Sequence, residues 1–151
     1  MNETMLPSIP SRSRLVLTPL LAALPLLAAN ATGVATRIPD SYARPATLAS
    51  IDDTRHLNLR CTGSGTPTIV LESGSHADSS TWFRLQPLLE KSARVCAYDR
   101  AGYGFSDEGP LPRNLDADIA DLHALIDDAQ LVTPLLLVGH SLGSNIVRGY
   151  A

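Results

Sequence analysis

Short apolar runs along the chain alternate with segments in which apolar residues recur every three or four positions. The runs predict five strands, at residues 48–51, 56–61, 68–71, 94–98 and 135–138. Helical spacing follows at residues 81–89 and 115–129, and a last helix begins at residue 142. The first two strands are expected to pair antiparallel. Because strands and helices alternate after them, the pattern predicts an α/β domain whose mostly parallel sheet is covered on both faces.

The two complete helices are predicted to be amphipathic. The first is expected to bury one apolar face, made of Trp82, Leu85, Leu88 and Leu89. Asn114 caps the second, whose apolar positions are Leu115, Ile119, Leu122, Ile126 and Ala129. Its other side carries acids that would suit either a metal site or, as we favour, a solvated face: Asp116, Asp118, Asp121, Asp127 and Asp128.

The first 31 residues are predicted to be a secretory signal peptide. Arg12 and Arg14 precede an apolar run at residues 15–29, and Ala29-Asn30-Ala31 matches the A-x-A cleavage pattern. The alternative is an uncleaved membrane anchor, for which the run is short and contains two prolines. Cleavage implies a secreted or periplasmic protein, whereas retention implies a membrane-anchored one.

The remainder of the chain is expected to hold one folded domain. Residues 32–45 lack periodicity and are predicted to be a linker, so the domain takes residues 46–151. Apolar residues make up 44% of the chain and charged residues 18%, which is typical of a globular protein. A net charge of −3 provides no basic surface, and nucleic acid is therefore not an expected partner.

The strand at residues 135–138 runs directly into a glycine-flanked serine, Gly139-His140-Ser141-Leu142-Gly143. Such a strand must turn into a helix within about two residues, which holds the serine backbone in a strained region of φ/ψ space. A side chain at either flanking glycine would collide with the turn. The Ser141 hydroxyl is then exposed as a nucleophile, and the Leu142 N–H at the helix N-terminus can bind a developing oxyanion.

Two further motifs precede this turn. The strand at residues 68–71 leads into Glu72-Ser73-Gly74-Ser75, and the strand at residues 94–98 leads into a D-R-x-G-x-G-x-S sequence at residues 99–106. In this order and spacing, the three motifs resemble those of the α/β-hydrolase superfamily, from about residue 57 to residue 151. The resemblance implies an α/β-hydrolase-type, mostly parallel sheet with flanking helices and the strand order 1-2-4-3-5. It further implies a serine hydrolase that acts on a small-molecule ester or similar carbonyl compound, with no metal or organic cofactor.

The resemblance also implies roles for individual residues. Ser141 would be the nucleophile, and the backbone N–H groups of Ser75 and Leu142 would form the oxyanion hole. Gly139, His140 and Gly143 would complete the nucleophile turn. Many relatives have His-Gly where this chain has Ser73-Gly74. The oxyanion role belongs to the backbone, so this difference leaves the fold assignment intact and the hydrolase subgroup open.

Cys61 and Cys96 fall on strands that are neighbours in the implied strand order. In an oxidising compartment they could form a disulfide. They could equally be two small buried apolar side chains, and the sequence leaves both interpretations open.

The sequence offers no evident base for Ser141. A serine hydroxyl needs a histidine oriented by a carboxylate, and in this superfamily both follow the serine along the chain. No Asp, Glu or His follows Ser141. Of the four histidines only His76 is expected near it, and a polar loop role is favoured for His76. We therefore expect the N-terminal half of a hydrolase, truncated after the nucleophile strand and helix; the alternative is a catalytically inert truncated isoform that acts as a binding or interaction module.

Overall fold

The computed structural model describes residues 37–151, which contain a five-stranded sheet. Its strands are β1 (Thr47–Ser50), β2 (His56–Thr62), β3 (Thr68–Glu72), β4 (Arg94–Tyr98) and β5 (Leu135–Gly139). Their spatial order is β1-β2-β4-β3-β5, as the resemblance implied. The pairs β1–β2 and β2–β4 are antiparallel, whereas β3 runs parallel to both β4 and β5. The three parallel strands therefore end at one edge of the sheet, where their following loops meet.

Helices cover both faces of this sheet, as predicted. They are α1 (Gln86–Leu89), α2 (Leu115–Asp128) and α3 (Leu142–Tyr150), with 3-10 turns at Asp40–Ala43 and Ser79–Trp82. Side chains alternate along each strand. One set packs under α2 and α3, as with Val70 and Tyr98. The other set, which includes Leu71 and Ala97, packs against Trp82 and the residues before α1 and β4. None of these helices has the length and apolar character needed to cross a bilayer.

The prediction of one helix over residues 81–89 is wrong in extent. Of its predicted apolar face, Trp82, Leu85 and Leu89 pack against the core, whereas Leu88 does not. The chain forms a 3-10 turn that ends at Trp82, and α-helix begins only at Gln86. Leu88 is 50% exposed, whereas Gln86 is 1% exposed. The Gln86 amide is buried because its Nε2 donates to the carbonyls of Arg60 (2.9 Å) and Val95 (3.0 Å). A polar side chain that the apolar spacing did not place on the buried face thus joins this segment to the sheet.

The acidic side of α2 is not uniformly solvated, which corrects the sequence interpretation. Asp121 is 7% exposed and accepts hydrogen bonds from Arg55 and Arg113. Arg113 also pairs with Asp118 at 2.7 Å. Arg55, from the loop between β1 and β2, and Arg113, just before the helix, therefore neutralise Asp118 and Asp121 on this side of α2. Within residues 37–151, no group of three or more His, Cys, Asp or Glu side chains is arranged to hold a metal ion.

The predicted signal peptide lies wholly outside the described residues, and the predicted linker at residues 32–45 lies partly outside them. From Arg37 onward this segment contains the 3-10 turn Asp40–Ala43. Tyr42 donates a hydrogen bond from its hydroxyl to Gln86 (3.2 Å), and the Arg60 guanidinium lies 4.4 Å from its ring centre. This part of the predicted linker therefore packs on the domain instead of connecting freely to it.

Candidate active site

Ser141 occupies the sharp turn between β5 and α3. Its backbone has φ 54° and ψ −120°, a conformation that residues other than glycine rarely adopt. The Ser144 Oγ donates to the Gly139 carbonyl at 2.9 Å, and the Ser144 N–H donates to the Ser141 carbonyl at 2.9 Å. These bonds hold the strained turn, and Ser141 is exposed at its tip.

The two glycines of the turn are required by close approach of backbone. A Cβ on Gly139 would lie 2.5 Å from the Gly143 carbonyl oxygen. A Cβ on Gly143 would lie 2.5 Å from the Glu72 carbonyl oxygen and 2.7 Å from that of Ser73. Real Cβ contacts are longer than 3.0 Å, so the helix can approach the end of β3 only where it has no side chain.

The loop after β3 lies directly against this turn. In the β3–β5 register Glu72 faces Gly139, and the His140 N–H donates to the Glu72 carbonyl at 3.0 Å. Two residues after Glu72, a Cβ on Gly74 would lie 2.9 Å from His140 Nδ1 and 3.3 Å from Ser141 Cβ. The backbone at Gly74, which immediately precedes Ser75, therefore touches the serine turn. At the first position of α3, the Leu142 N–H has no carbonyl of its own helix to bind.

Beneath this loop is a buried ionic cluster that the sequence analysis missed. Glu72, Tyr98 and Arg100 are each at most 4% exposed. Arg100 Nη1 donates to Glu72 Oε1 at 2.6 Å, and the Tyr98 hydroxyl donates to Glu72 Oε2. Burial raises the pKa of the Glu72 carboxyl, while the hydrogen bonds from Tyr98 and Arg100 oppose that shift. Burial, followed by the nearby Glu72 charge, raises the pKa of Tyr98 well above its ordinary value.

Asp99 organises the loops from the other side. Its Oδ1 accepts from the Ser79 N–H at 2.7 Å. Its Oδ2 accepts from Asn58 Nδ2 at 2.9 Å and from the Phe105 N–H at 3.0 Å. The Ser106 hydroxyl donates to the Asp99 carbonyl at 2.6 Å. The D-R-x-G-x-G-x-S sequence therefore joins β2, the loop after β3 and its own turn.

The four histidines occupy separate places. His56 pairs with Asp107 at 3.2 Å. His123 stacks on Tyr150 with ring centres 4.0 Å apart. His140 lies against Gly74, and His76 is an exposed loop residue with φ 55°. Within residues 37–151, none of them hydrogen-bonds to the Ser141 hydroxyl.

Cys61 and Cys96 are direct partners across β2 and β4, and the structure joins them in a disulfide. Cys96 lies on β4, three residues before Asp99, which begins the D-R-x-G-x-G-x-S sequence. The bond therefore links the antiparallel and parallel parts of the sheet below the site.

Comparisons with known proteins agree with this architecture. A family model described as the alpha/beta hydrolase fold matches residues 67–151. An esterase from Exiguobacterium antarcticum aligns over 70% of this chain and 39% of its own, with 26% identity and a TM-score of 0.62. A bromoperoxidase from Bacillus anthracis aligns over 69% of this chain and 38% of its own, with 27% identity and a TM-score of 0.62.

The chain is also similar in sequence to an uncharacterized vacuolar membrane protein of Saccharomyces cerevisiae. It is 38% identical over 86 residues, which cover 54% of this chain and 13% of the yeast protein. The chain thus spans well under half the length of each of these three proteins. The match to the family model begins just before β3. It includes the loop after β3, the D-R-x-G-x-G-x-S sequence and the serine turn. The chain therefore belongs to the α/β-hydrolase family.

Proposed function

We propose that this chain carries the nucleophile and the oxyanion hole of a serine hydrolase that acts on small-molecule esters or similar carbonyl compounds. The observation that carries the proposal is the backbone of Ser141, whose positive φ lifts an exposed hydroxyl to the tip of the β5–α3 turn. Strain of this kind persists only where surrounding structure maintains it, and it is concentrated at functional sites.

In the proposed reaction, Ser141 Oγ attacks the substrate carbonyl carbon and gives its proton to a base. The carbonyl oxygen becomes an oxyanion, which the N–H groups of Ser75 and Leu142 bind. Collapse of this intermediate expels the alcohol, which takes up the proton, and leaves an acyl group on Ser141. Water then attacks the acyl group by the same steps and releases the acid.

We propose that the base and its orienting acid come from outside these 151 residues. This is supported by the positions of His56, His123 and His140, each of which already contacts another group. His76 is the remaining candidate within the chain, on the loop that touches the serine turn. An inert binding module is the second candidate function, because a serine without a base can still shape a ligand site.

A fluorophosphonate probe and an activated ester, tested together, decide between these functions. We expect slow labelling at Ser141, none in Ser141→Ala, and little ester turnover by the chain of 151 residues. Loss of a single triad member leaves roughly 10³–10⁴-fold catalysis over water. Turnover at ordinary enzyme rates that Ser141→Ala abolishes would contradict the external base, and His76→Ala would then identify it. No labelling at all would support the inert module.

For the N-terminal segment we propose export with cleavage after Ala31. The support is the charge, length and small-residue exit of residues 1–31. The yeast relative is described as a vacuolar membrane protein, and a membrane-anchored form of this chain is the alternative.

A further inference from the structure

The Arg100 guanidinium binds two consecutive carbonyl groups of the loop that precedes Ser75. Its Nη1 donates to the Ser73 carbonyl at 2.5 Å, and its Nη2 donates to the Gly74 carbonyl at 2.6 Å. Arg100 is 4% exposed, so these are charge-assisted hydrogen bonds shielded from water. Buried arginines commonly pair with carboxylates, and here one fork is divided between a carboxylate and the backbone of a loop.

The second of these bonds fixes the direction of a particular N–H group. The Gly74 carbonyl and the Ser75 N–H belong to the same peptide unit, which is planar and trans. In a trans unit the C=O and N–H bonds point in opposite directions. A cation that holds the Gly74 oxygen on one side therefore directs the Ser75 N–H to the other. It also polarises the unit, since a hydrogen bond accepted by the carbonyl strengthens the N–H as a donor.

From this geometry we propose that Arg100 is a positioning residue, which orients and polarises the Ser75 N–H for an oxyanion at Ser141. The inference rests on the proposed function for its catalytic meaning, while the orientation of the amide can be measured by itself. Arg100 touches neither substrate nor nucleophile, and it acts only through the 74–75 peptide.

The remaining contacts of the cluster explain how Arg100 is itself held. Glu72 Oε1 accepts from the same Nη1, and its Oε2 is held by the Tyr98 hydroxyl. Glu72 and Tyr98 end adjacent parallel strands in the register that pairs Leu71 with Ala97. Two rigid strand ends therefore fix the guanidinium, and the guanidinium fixes the loop.

The test compares Arg100→Lys with wild type in the chain of 151 residues. Lysine keeps the charge but loses the planar fork that binds two carbonyls at once. Arg55→Lys is the matched control, because Arg55 also divides its fork between partners but binds Asp52 and Asp121, away from the loop. The first readout is the NMR resonance and hydrogen exchange of the Ser75 amide. The second is the rate of fluorophosphonate labelling at Ser141 as a function of probe concentration.

For Arg100→Lys we expect an upfield shift and slower base-catalysed exchange of the Ser75 amide, because its N–H is less polarised, with the amides of β3 unchanged. We expect the maximal labelling rate to fall by about 10–100-fold at an unchanged half-saturating concentration, since loss of one whole oxyanion donor costs about 10²–10³-fold. Arg55→Lys should change neither readout. A Ser75 amide that is the same in Arg100→Lys and wild type would overturn the proposal.

The two proposals fail in different ways. If wild type does not label, the serine hydrolase proposal fails for this chain, and the amide comparison still decides the role of Arg100. If Arg100→Lys does not fold, Glu72→Gln takes its place, because it keeps the shape of the carboxyl but weakens the hold on the guanidinium. A folded Glu72→Gln chain with an unchanged Ser75 amide would also overturn the proposal.

Discussion

Replacing Gly143 by alanine tests whether the serine turn depends on contact between α3 and the end of β3. The added methyl group would lie 2.5 Å from the Glu72 carbonyl oxygen, 2.7 Å from Glu72 Cγ and 2.7 Å from the Ser73 carbonyl oxygen. Two of these atoms are backbone and all three belong to buried residues. The helix or the loop must therefore move by several tenths of an ångström.

The magnitude follows from two opposing effects. Overpacking of a rigid site costs about 1–3 kcal/mol, and alanine regains at most about 1 kcal/mol of helix propensity over glycine. We expect Gly143→Ala to lose about 1–2 kcal/mol of folding free energy, or about 4–8 °C in Tm for a domain of this size. Because the moved atoms include the Ser73 carbonyl, Ser141 labelling by a fluorophosphonate should slow as well.

Gly149→Ala is the matched control in the same helix. Its Cβ would meet only the end of the Ile119 side chain, which can change rotamer. Its Tm, measured by circular dichroism under the same conditions, should equal or exceed that of wild type. A Gly143→Ala protein with the same Tm as the Gly149→Ala protein and the wild-type labelling rate would refute the close-contact argument.

Three further predictions concern the sheet and the N-terminus. Removing the disulfide by Cys61→Ala with Cys96→Ala should lower the unfolding free energy by about 4 kcal/mol in urea titrations, because the two cysteines are 35 residues apart in sequence. If the double variant and the reduced wild type both unfold at the midpoint of untreated wild type, the bond does not form. The outer edge of β5 pairs with no strand in the described residues, and such edges can pair with other chains. Light scattering should therefore detect association, and a monodisperse monomer at all concentrations would contradict this. Intact mass of exported protein should show loss of residues 1–31, and a membrane fraction that retains Met1 would favour the anchor.

The strands and the serine turn could be predicted because their signals are local, whereas the strand order was implied by the resemblance to a known family. The strand at Arg94–Tyr98 has the bounds that its apolar residues indicate, and Asn114 caps α2 through a bond of 2.9 Å to the Ala117 N–H. The G-x-S-x-G spacing likewise predicted the strained serine, because only a few backbone geometries connect a strand to a helix so tightly.

The polar contacts of the interior could not be predicted because their partners are distant in sequence. Gln86 is buried by carbonyls of β2 and β4, and Asp121 is neutralised by Arg55, 66 residues away. Hydrophobic spacing cannot show such pairings, since it assigns every polar residue to the surface. One signal was available: Glu72 follows three apolar residues at the end of β3, and Arg100 follows the parallel strand β4 beside it. Opposite charges at adjacent strand ends favour a buried pair.

Asp99 imposes a limit on the substitutions that evolution can sample at its position. Three donors converge on its two carboxylate oxygens, one on Oδ1 and two on Oδ2. Asparagine has the same shape, but either orientation of its amide would place an NH₂ group against at least one of these donors. Glutamate would need space that the 1% exposed site does not have. A mutational scan should therefore rank position 99 with Ser141, although one residue assembles loops and the other is proposed to form a bond to substrate. Intolerance to mutation alone would not separate the scaffold of this site from its chemistry.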